Sequence, residues 1–195
     1  QLHFLAGEGV SRVVLCLGHL GEKVVKFVGD GRAYGLDVVY SFDGPDLKGT
    51  AGALRRALPQ LGRAFFVLYG DSWLECSYAA VQDAYEAAGT LALMTVFHNE
   101  GRWDSSNVEF SGGRILDYNK VDRTARMRHI DYGLGVLDRR AFETLPGDGA
   151  GDLAALYQAM LRREQLAGFE VDQRFYEIGS VAGLEETRSH LVGRR

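Results

Sequence analysis

Four short runs built almost wholly of apolar residues, separated by stretches of helical or turn character, limit what this chain can become. They are Val13-Val14-Leu15-Cys16-Leu17, Leu36 to Phe42, Ala64 to Tyr69 and Leu91 to Phe97. Behind the first, Leu20, Val24, Phe27 and Val28 recur at helical spacing before Gly29-Asp30-Gly31. Behind the second, a polar turn from Asp43 to Lys48 leads to Thr50 as N-cap of good helix formers from Ala51 to Leu61. Behind the third, Ser77 is placed to cap a helix through Ala80, Val81, Ala84 and Tyr85 to Gly89. A strand that is apolar on both faces must be covered on both faces, and crossover helices do that. The pattern predicts an α/β, Rossmann-like core: a mixed, mainly parallel sheet with flanking helices.

From about Trp103 the texture changes to a small β insertion of antiparallel or mixed strands: Asn107 to Phe110, Arg114 to Tyr118 after the Gly112-Gly113 turn, and Met127 to Leu137. A helix is then expected over Asp152 to Gln165 with Leu153, Leu156, Tyr157, Met160 and Leu161 inward, a short strand over Arg174 to Ile178, and a last helix capped by Ser180. At the other end, Leu2, Phe4 and Leu5 running into Gly7 and Gly9 read as the tail of a helix that starts before Gln1. No internal repeat or linker interrupts residues 1–195, so a single domain is expected.

Composition narrows the function. The net charge is −4, with acidic and basic residues interspersed, which leaves no broad positive face for a nucleic-acid backbone. No run approaches the ~20 apolar residues that cross a bilayer, so no membrane partner is expected. The two cysteines, Cys16 and Cys76, belong to no CxxC or Cys/His cluster, which fits a reducing cytoplasm. The five histidines form no HExxH, and GxSxG and GxGxxG are absent, which removes the zincin, hydrolase and dinucleotide-reductase readings.

Four constellations can carry chemistry. In Lys48-Gly49-Thr50-Ala51-Gly52-Ala53, small residues at the start of a helix let a ligand approach the backbone; the same residues suit an ordinary capped helix packed tightly on a sheet. The strand Phe65 to Tyr69 ends in Gly70-Asp71, at the edge where open α/β sheets bind ligands, and Asp71 there can hold a hard cation or simply form a turn. Phe175-Tyr176-Glu177-Ile178-Gly179-Ser180 again places a carboxylate before a glycine and a helix cap, so Glu177 is either the candidate partner of Asp71 or a solvent-facing residue on an alternating strand. Asn119-Lys120 closes a strand, with Asp131-Tyr132-Gly133 on the next; Lys120 suits a phosphate, while Asn107, Asn119 and Asp131 are equally at home in turns.

Taken in order, Gly49-Thr50-Ala51-Gly52-Ala53, the strand into Gly70-Asp71, Asn119-Lys120, Asp131-Tyr132-Gly133-Leu134-Gly135 and Glu177-Ile178-Gly179-Ser180 resemble the sugar-phosphate nucleotidyltransferases. The resemblance runs from Leu2 to Leu191 and departs at three points. A usual Glu-Lys-Pro turn reads Asn119-Lys120-Val121, an Asn-Ala-Gly segment reads Asp131-Tyr132-Gly133, and an Asp-Ile-Gly-Thr segment reads Glu177-Ile178-Gly179-Ser180.

That resemblance implies transfer of a nucleoside monophosphate from a nucleoside triphosphate to a sugar-1-phosphate, with release of pyrophosphate and no covalent enzyme intermediate. It implies Mg²⁺ on Asp71 and Glu177, with Asp71 and Lys120 as the catalytic residues. The nucleotide falls to Gly49, Thr50, Ala51 and Gly52, and the sugar phosphate to Asn107, Asn119, Lys120, Asp131 and Gly133. Residues 1–100 then form the nucleotide-binding half and 101–195 the sugar-phosphate half, and self-association stays open. Similar enzymes begin with a strand, a Gly-rich phosphate loop with Arg, and a Pro-Lys motif. None of these lies in the 195 residues, so the resemblance also implies impaired activity for the chain alone. A noncatalytic sugar-phosphate- or nucleotide-binding regulatory module of the same fold is the alternative.

Overall fold

Every strand–helix alternation expected of the first half forms. The computed structural model describes residues 1–44, 46–144 and 151–193, so the Asp43–Lys48 turn lies partly outside the described residues, at Pro45. The order is α1 (Leu2–Gly7), β1 (Arg12–Leu17), α2 (Gly21–Val28), β2 (Asp37–Phe42), α3 (Gly49–Ala57), β3 (Ala64–Leu68), β4 (Ser72–Trp73) and α4 (Tyr78–Ala88). Then follow β5 (Ala92–His98), β6 (Val108–Ser111), β7 (Arg114–Tyr118), β8 (His129–Asp138), α5 (Leu153–Arg162), β9 (Leu166–Val171), β10 (Tyr176–Glu177) and α6 (Val181–Val192).

The chain divides into two compact units. The first comprises Gln1–Phe65 and Asp138–Ala159, the second Phe66–Leu137 and Met160–Arg195. In the first unit β1 and β2 pair in parallel from Arg12 opposite Asp37 to Leu17 opposite Phe42. Val28, Leu36 and Val38 form its core, with Leu2, Ala6, Val10, Val13 and Leu15 packed on them. The apolar stripe on α2 is only half used: Val28 is buried, but Phe27 is 80% exposed and Leu20 and Val24 also face solvent.

A six-stranded sheet runs in the order β3-β8-β5-β9-β7-β6. It is less parallel than the pattern of apolar runs suggests: β5 is parallel to β9 but antiparallel to β8, and β7 is antiparallel to both β6 and β9. Strand β9 is absent from the sequence reading. Its segment, Leu166-Ala167-Gly168-Phe169-Glu170-Val171, lies behind a helix that closes at Arg162, earlier than its apolar spacing suggests. Gly168 is there for close approach: a Cβ on it would stand 2.6 Å from the Phe110 ring. The centre of the second unit is made by Val81, Leu93, Met94, Val96, Leu134, Val136 and Met160, all buried.

Helix ends follow local chemistry in two of three cases. The Ser77 hydroxyl accepts the Ala80 N–H at 3.2 Å, and the Ser180 hydroxyl accepts the Gly183 N–H at 3.0 Å, as their positions before α4 and α6 predict. Thr50 differs. Helix α3 already begins at Gly49 with Lys48 as its N-cap, and the Thr50 hydroxyl instead donates to Asp152 Oδ1 at 3.2 Å and accepts the Leu153 N–H at 2.7 Å. It therefore caps α5, a partner about a hundred residues away that no local pattern reveals.

Candidate functional site

Within the second unit, the carboxyl-side ends of several strands surround a pocket of about 270 Å³. Its wall includes Asn107, Lys120, Asp131, Gly133 and Glu177 of the sequence-predicted residues, together with Tyr69, Ser72, Asp104, Ser105, Arg123, Tyr132 and Phe175. Gly133 takes φ +94°, which lets the backbone of β8 turn its amide toward Asp131; a Cβ there would face Tyr69, Ser72 and Leu74 at 3.6 Å.

Asp131 is held rather than loose. Its carboxylate accepts the Tyr118 hydroxyl at 3.1 Å and the Gly133 N–H at 3.1 Å, and its own N–H donates to Asn107 Oδ1 at 2.9 Å. Asn119 stands apart from the pocket wall: its side-chain oxygen accepts the N–H groups of Val121 and Asp122, both at 2.9 Å, closing a turn that presents Lys120. The Lys120 ammonium lies 5.7 Å from the Tyr69 ring centroid, a cation–π distance.

Arg123 supplies a second cation to the same pocket, and its Nε donates to the Lys120 carbonyl at 3.1 Å. Sequence reasoning passed over it; the available signal was a second basic residue three positions after Lys120 in one polar turn. The aromatic residues Tyr69, Tyr132 and Phe175 were passed over because each also reads as core. Tyr132 serves both purposes: its hydroxyl accepts the Glu75 N–H at 3.2 Å, and burial above all pushes its ionisation well up, so it stays neutral.

The two strand-end carboxylates lie on neighbouring segments. Ile178 N–H donates to the Asp71 carbonyl at 2.9 Å, and Glu177 of β10 lies opposite Ser72 of β4. Glu177 Oε2 and Asp71 Oδ2 stand 3.6 and 3.8 Å from the point that a Gly179 Cβ would occupy. Gly179 thus leaves open the space the two carboxylates share. A pair of oxygen donors fits a hard divalent cation that completes its shell with water and phosphate. Among the described residues no third His, Cys, Asp or Glu joins them.

In the first unit, the Gly49-Thr50-Ala51-Gly52 segment is closely packed. Gly49 takes φ +67° against Gly151, whose carbonyl would lie 2.7 Å from a Gly49 Cβ and accepts the Ala51 N–H at 2.8 Å. Ala51 and Gly52 are buried in α3, while Gly49 and Thr50 remain exposed. The small residues therefore serve packing at Gly49, Ala51 and Gly52, and the Thr50 hydroxyl caps α5, while Gly49 and Thr50 keep exposed surface.

No protein-family model matches the chain. It is similar to an N-acetylmuramate alpha-1-phosphate uridylyltransferase of Neisseria meningitidis serogroup B, at 25% identity over 95% of this chain and 80% of that protein. Among solved structures it shares its fold with a Bacillus anthracis protein assigned as a glucose-1-phosphate thymidylyltransferase and crystallised with sucrose. The TM-score is 0.81 at 16% identity, over 96% of this chain and 79% of that one. The inositol-1-phosphate CTP transferase of T. maritima superimposes with a TM-score of 0.72 at 19% identity, over 98% and 82% of the two chains.

Proposed function

We propose that this chain is a sugar-phosphate nucleotidyltransferase, whose pocket receives the sugar-1-phosphate while Asp71 and Glu177 hold the divalent cation of the reaction. The observation that carries this is convergence: Lys120 and Glu177, over fifty residues apart in sequence, line one pocket, and Asp71 shares the space beside Gly179. The family's chemistry needs these elements together. A phosphate oxygen of the sugar-1-phosphate attacks the α-phosphorus of the nucleoside triphosphate, the bond to the β-phosphate oxygen breaks, and pyrophosphate leaves.

Two anionic phosphates must approach each other for this to happen. One pair of unit charges at ~4 Å in an effective dielectric of ~20 costs ~4 kcal/mol. Lys120 offsets that on the sugar-phosphate side, Arg123 adds to it, and Asn107 and Asp131 orient the sugar hydroxyls. A bound Mg²⁺ supplies charge neutralisation at the α-phosphate. Gly49 and Thr50 are the exposed part of the nucleotide-binding segment. Nucleoside triphosphates are cytoplasmic metabolites, and no described helix is long and apolar enough to cross a membrane; the cytoplasm is the proposed location. Nothing in the geometry favours a purely regulatory role.

The test is pyrophosphate release with Mg²⁺, a set of nucleoside triphosphates and a set of sugar-1-phosphates, for this chain and for the product of its full reading frame. UTP with N-acetylmuramate 1-phosphate is the first pair to try, because a relative is named for it. Release that requires both substrates and Mg²⁺ supports the reading. Silence in both proteins, with no binding of sugar-1-phosphate, overturns it.

A further inference from the structure

The pocket's outer wall, Asp104 and Ser105, belongs to a loop between β5 and β6 that has no helix or strand of its own. Hydrogen bonds fasten that loop from the inside, and a ring contact fastens it from the outside. On the inside is Asn99, fully buried: its Nδ2 donates to the Asp104 carbonyl at 2.6 Å and to Ser106 Oγ at 3.2 Å, and its Oδ1 accepts the Trp103 N–H at 3.2 Å. On the outside is Trp103, whose ring is half open to solvent and lies under the Arg174 guanidinium, 3.5 Å from the ring centroid.

Arg174 is itself well placed to act as a fixed post. It also stacks on Tyr176 at 4.6 Å and pairs with Glu186 of α6, while Tyr176 stacks on His190, which pairs with Glu75 at 3.0 Å. It immediately precedes Phe175, a pocket residue, and stands three positions before Glu177. One side chain thus ties the loop on the sugar side to the strand bearing the metal carboxylate.

We infer that Trp103 and Arg174 form a clamp that sets the width of the pocket and thereby selects the sugar. They are positioning residues: the loop they hold touches the substrate, and they act through it. The inference rests on the reading of the pocket as the sugar-1-phosphate site. Without the clamp the loop keeps its inner bonds, from Asn99 and from the Gly101 N–H to Ser106 Oγ, but loses its outer fastening, so Asp104 and Ser105 lose their fixed distance from Lys120 and Asp131. Sugar binding should loosen and discrimination between sugars should narrow, while triphosphate binding and the chemical step stay as they were.

The experiment compares the unaltered protein with Trp103→Ala, Arg174→Met and Trp103→Phe, in the product of the full reading frame. Amide hydrogen exchange comes first because it needs no substrate. Residues 103–106 should exchange roughly tenfold faster in Trp103→Ala and Arg174→Met, with β5 and β8 unchanged and Trp103→Phe close to the unaltered protein. In kinetics, KM for sugar-1-phosphate should rise roughly tenfold in the first two variants, with kcat and the triphosphate KM within about twofold. The preference between glucose 1-phosphate and N-acetylmuramate 1-phosphate should fall toward unity. Unchanged exchange at 103–106 overturns the clamp, and faster exchange with an unchanged sugar-phosphate KM overturns its role in selection. An unaltered protein that neither binds sugar-1-phosphate nor releases pyrophosphate instead overturns the functional reading, and the selection role with it, whatever the loop does.

Discussion

Lys120 shows how a single charge acquires a role from its surroundings. Asn119 closes the turn beneath it, Tyr69 flanks its ammonium, and Arg123 returns a hydrogen bond to its carbonyl, so the charge is presented to one pocket. Lys120→Ala should raise KM for sugar-1-phosphate roughly tenfold to a hundredfold, since a charge-assisted contact is worth ~1.5–3 kcal/mol, and leave the triphosphate KM nearly unchanged; steady-state kinetics with each substrate varied checks this. Asp71 and Glu177 differ from it in needing each other. Glu177→Gln should cut kcat by about a hundredfold and weaken Mg²⁺ activation, whereas Glu177→Asp, which restores the shorter side chain of the family motif, should retain most of the rate. A magnesium titration of initial rates separates the two substitutions; equal loss in both would mean that the site needs the reach of Glu177 as well as its charge.

At the scale of elements, the site depends on how closely α6 sits against β10. Gly183 in the first turn of α6 lies where a Cβ would be 2.6 Å from the Glu177 carbonyl, and that carbonyl also accepts the Thr187 hydroxyl at 3.0 Å. Gly183→Ala must move either the helix or the strand, at a cost of about 1–3 kcal/mol in stability. It should also lower activity more than an equally destabilising change elsewhere, such as Gly168→Ala against the Phe110 ring, because it shifts a proposed metal ligand. Urea unfolding together with kcat for the two variants makes the comparison. Elements with local signals were legible: α4 and α6 each have a serine cap and a run of the right spacing. Strand β9 was not, because a glycine and a charged residue interrupt its apolar run and its partner β5 lies about seventy residues earlier.

For the whole molecule, one contribution to acid stability comes from Asp138, at the end of β8. Burial works to raise its pKa, but hydrogen bonds from the Arg140 side chain and backbone and from Arg63, with the Arg140 charge, outweigh burial and hold it at about 2. The folded pKa is below the unfolded one, so the folded protein binds fewer protons through this group. Its contribution to stability is therefore complete above about pH 4 and disappears as the pH falls toward about 2. Asp138→Asn should lower the urea midpoint at neutral pH and make it less sensitive to pH between 4 and 2. A mutant curve parallel to that of the unaltered protein over that range would show that other carboxylates govern the acid limb.

The sequence alone determined what depends on nearest neighbours and on order along the chain: apolar runs that become strands, serines that cap helices, and a succession of motifs that points to sugar-phosphate nucleotidyltransferases. It named Lys120, Asp71 and Glu177 through the motifs they share with that family, since each residue taken singly is equally at home in a turn or on a surface. Tertiary structure decided what depends on distance in space. It brought Asp71 and Glu177 to one open point beside Gly179, turned Asn119 into a turn-closing residue away from the pocket wall, and added Arg123. It also gave the Thr50 hydroxyl to a helix about a hundred residues away and set Arg174 over Trp103. The physical reason is the same in each case: hydrogen bonds and cation–π contacts act over a few ångströms, and separation along a chain carries almost no information about which remote groups will come within that range.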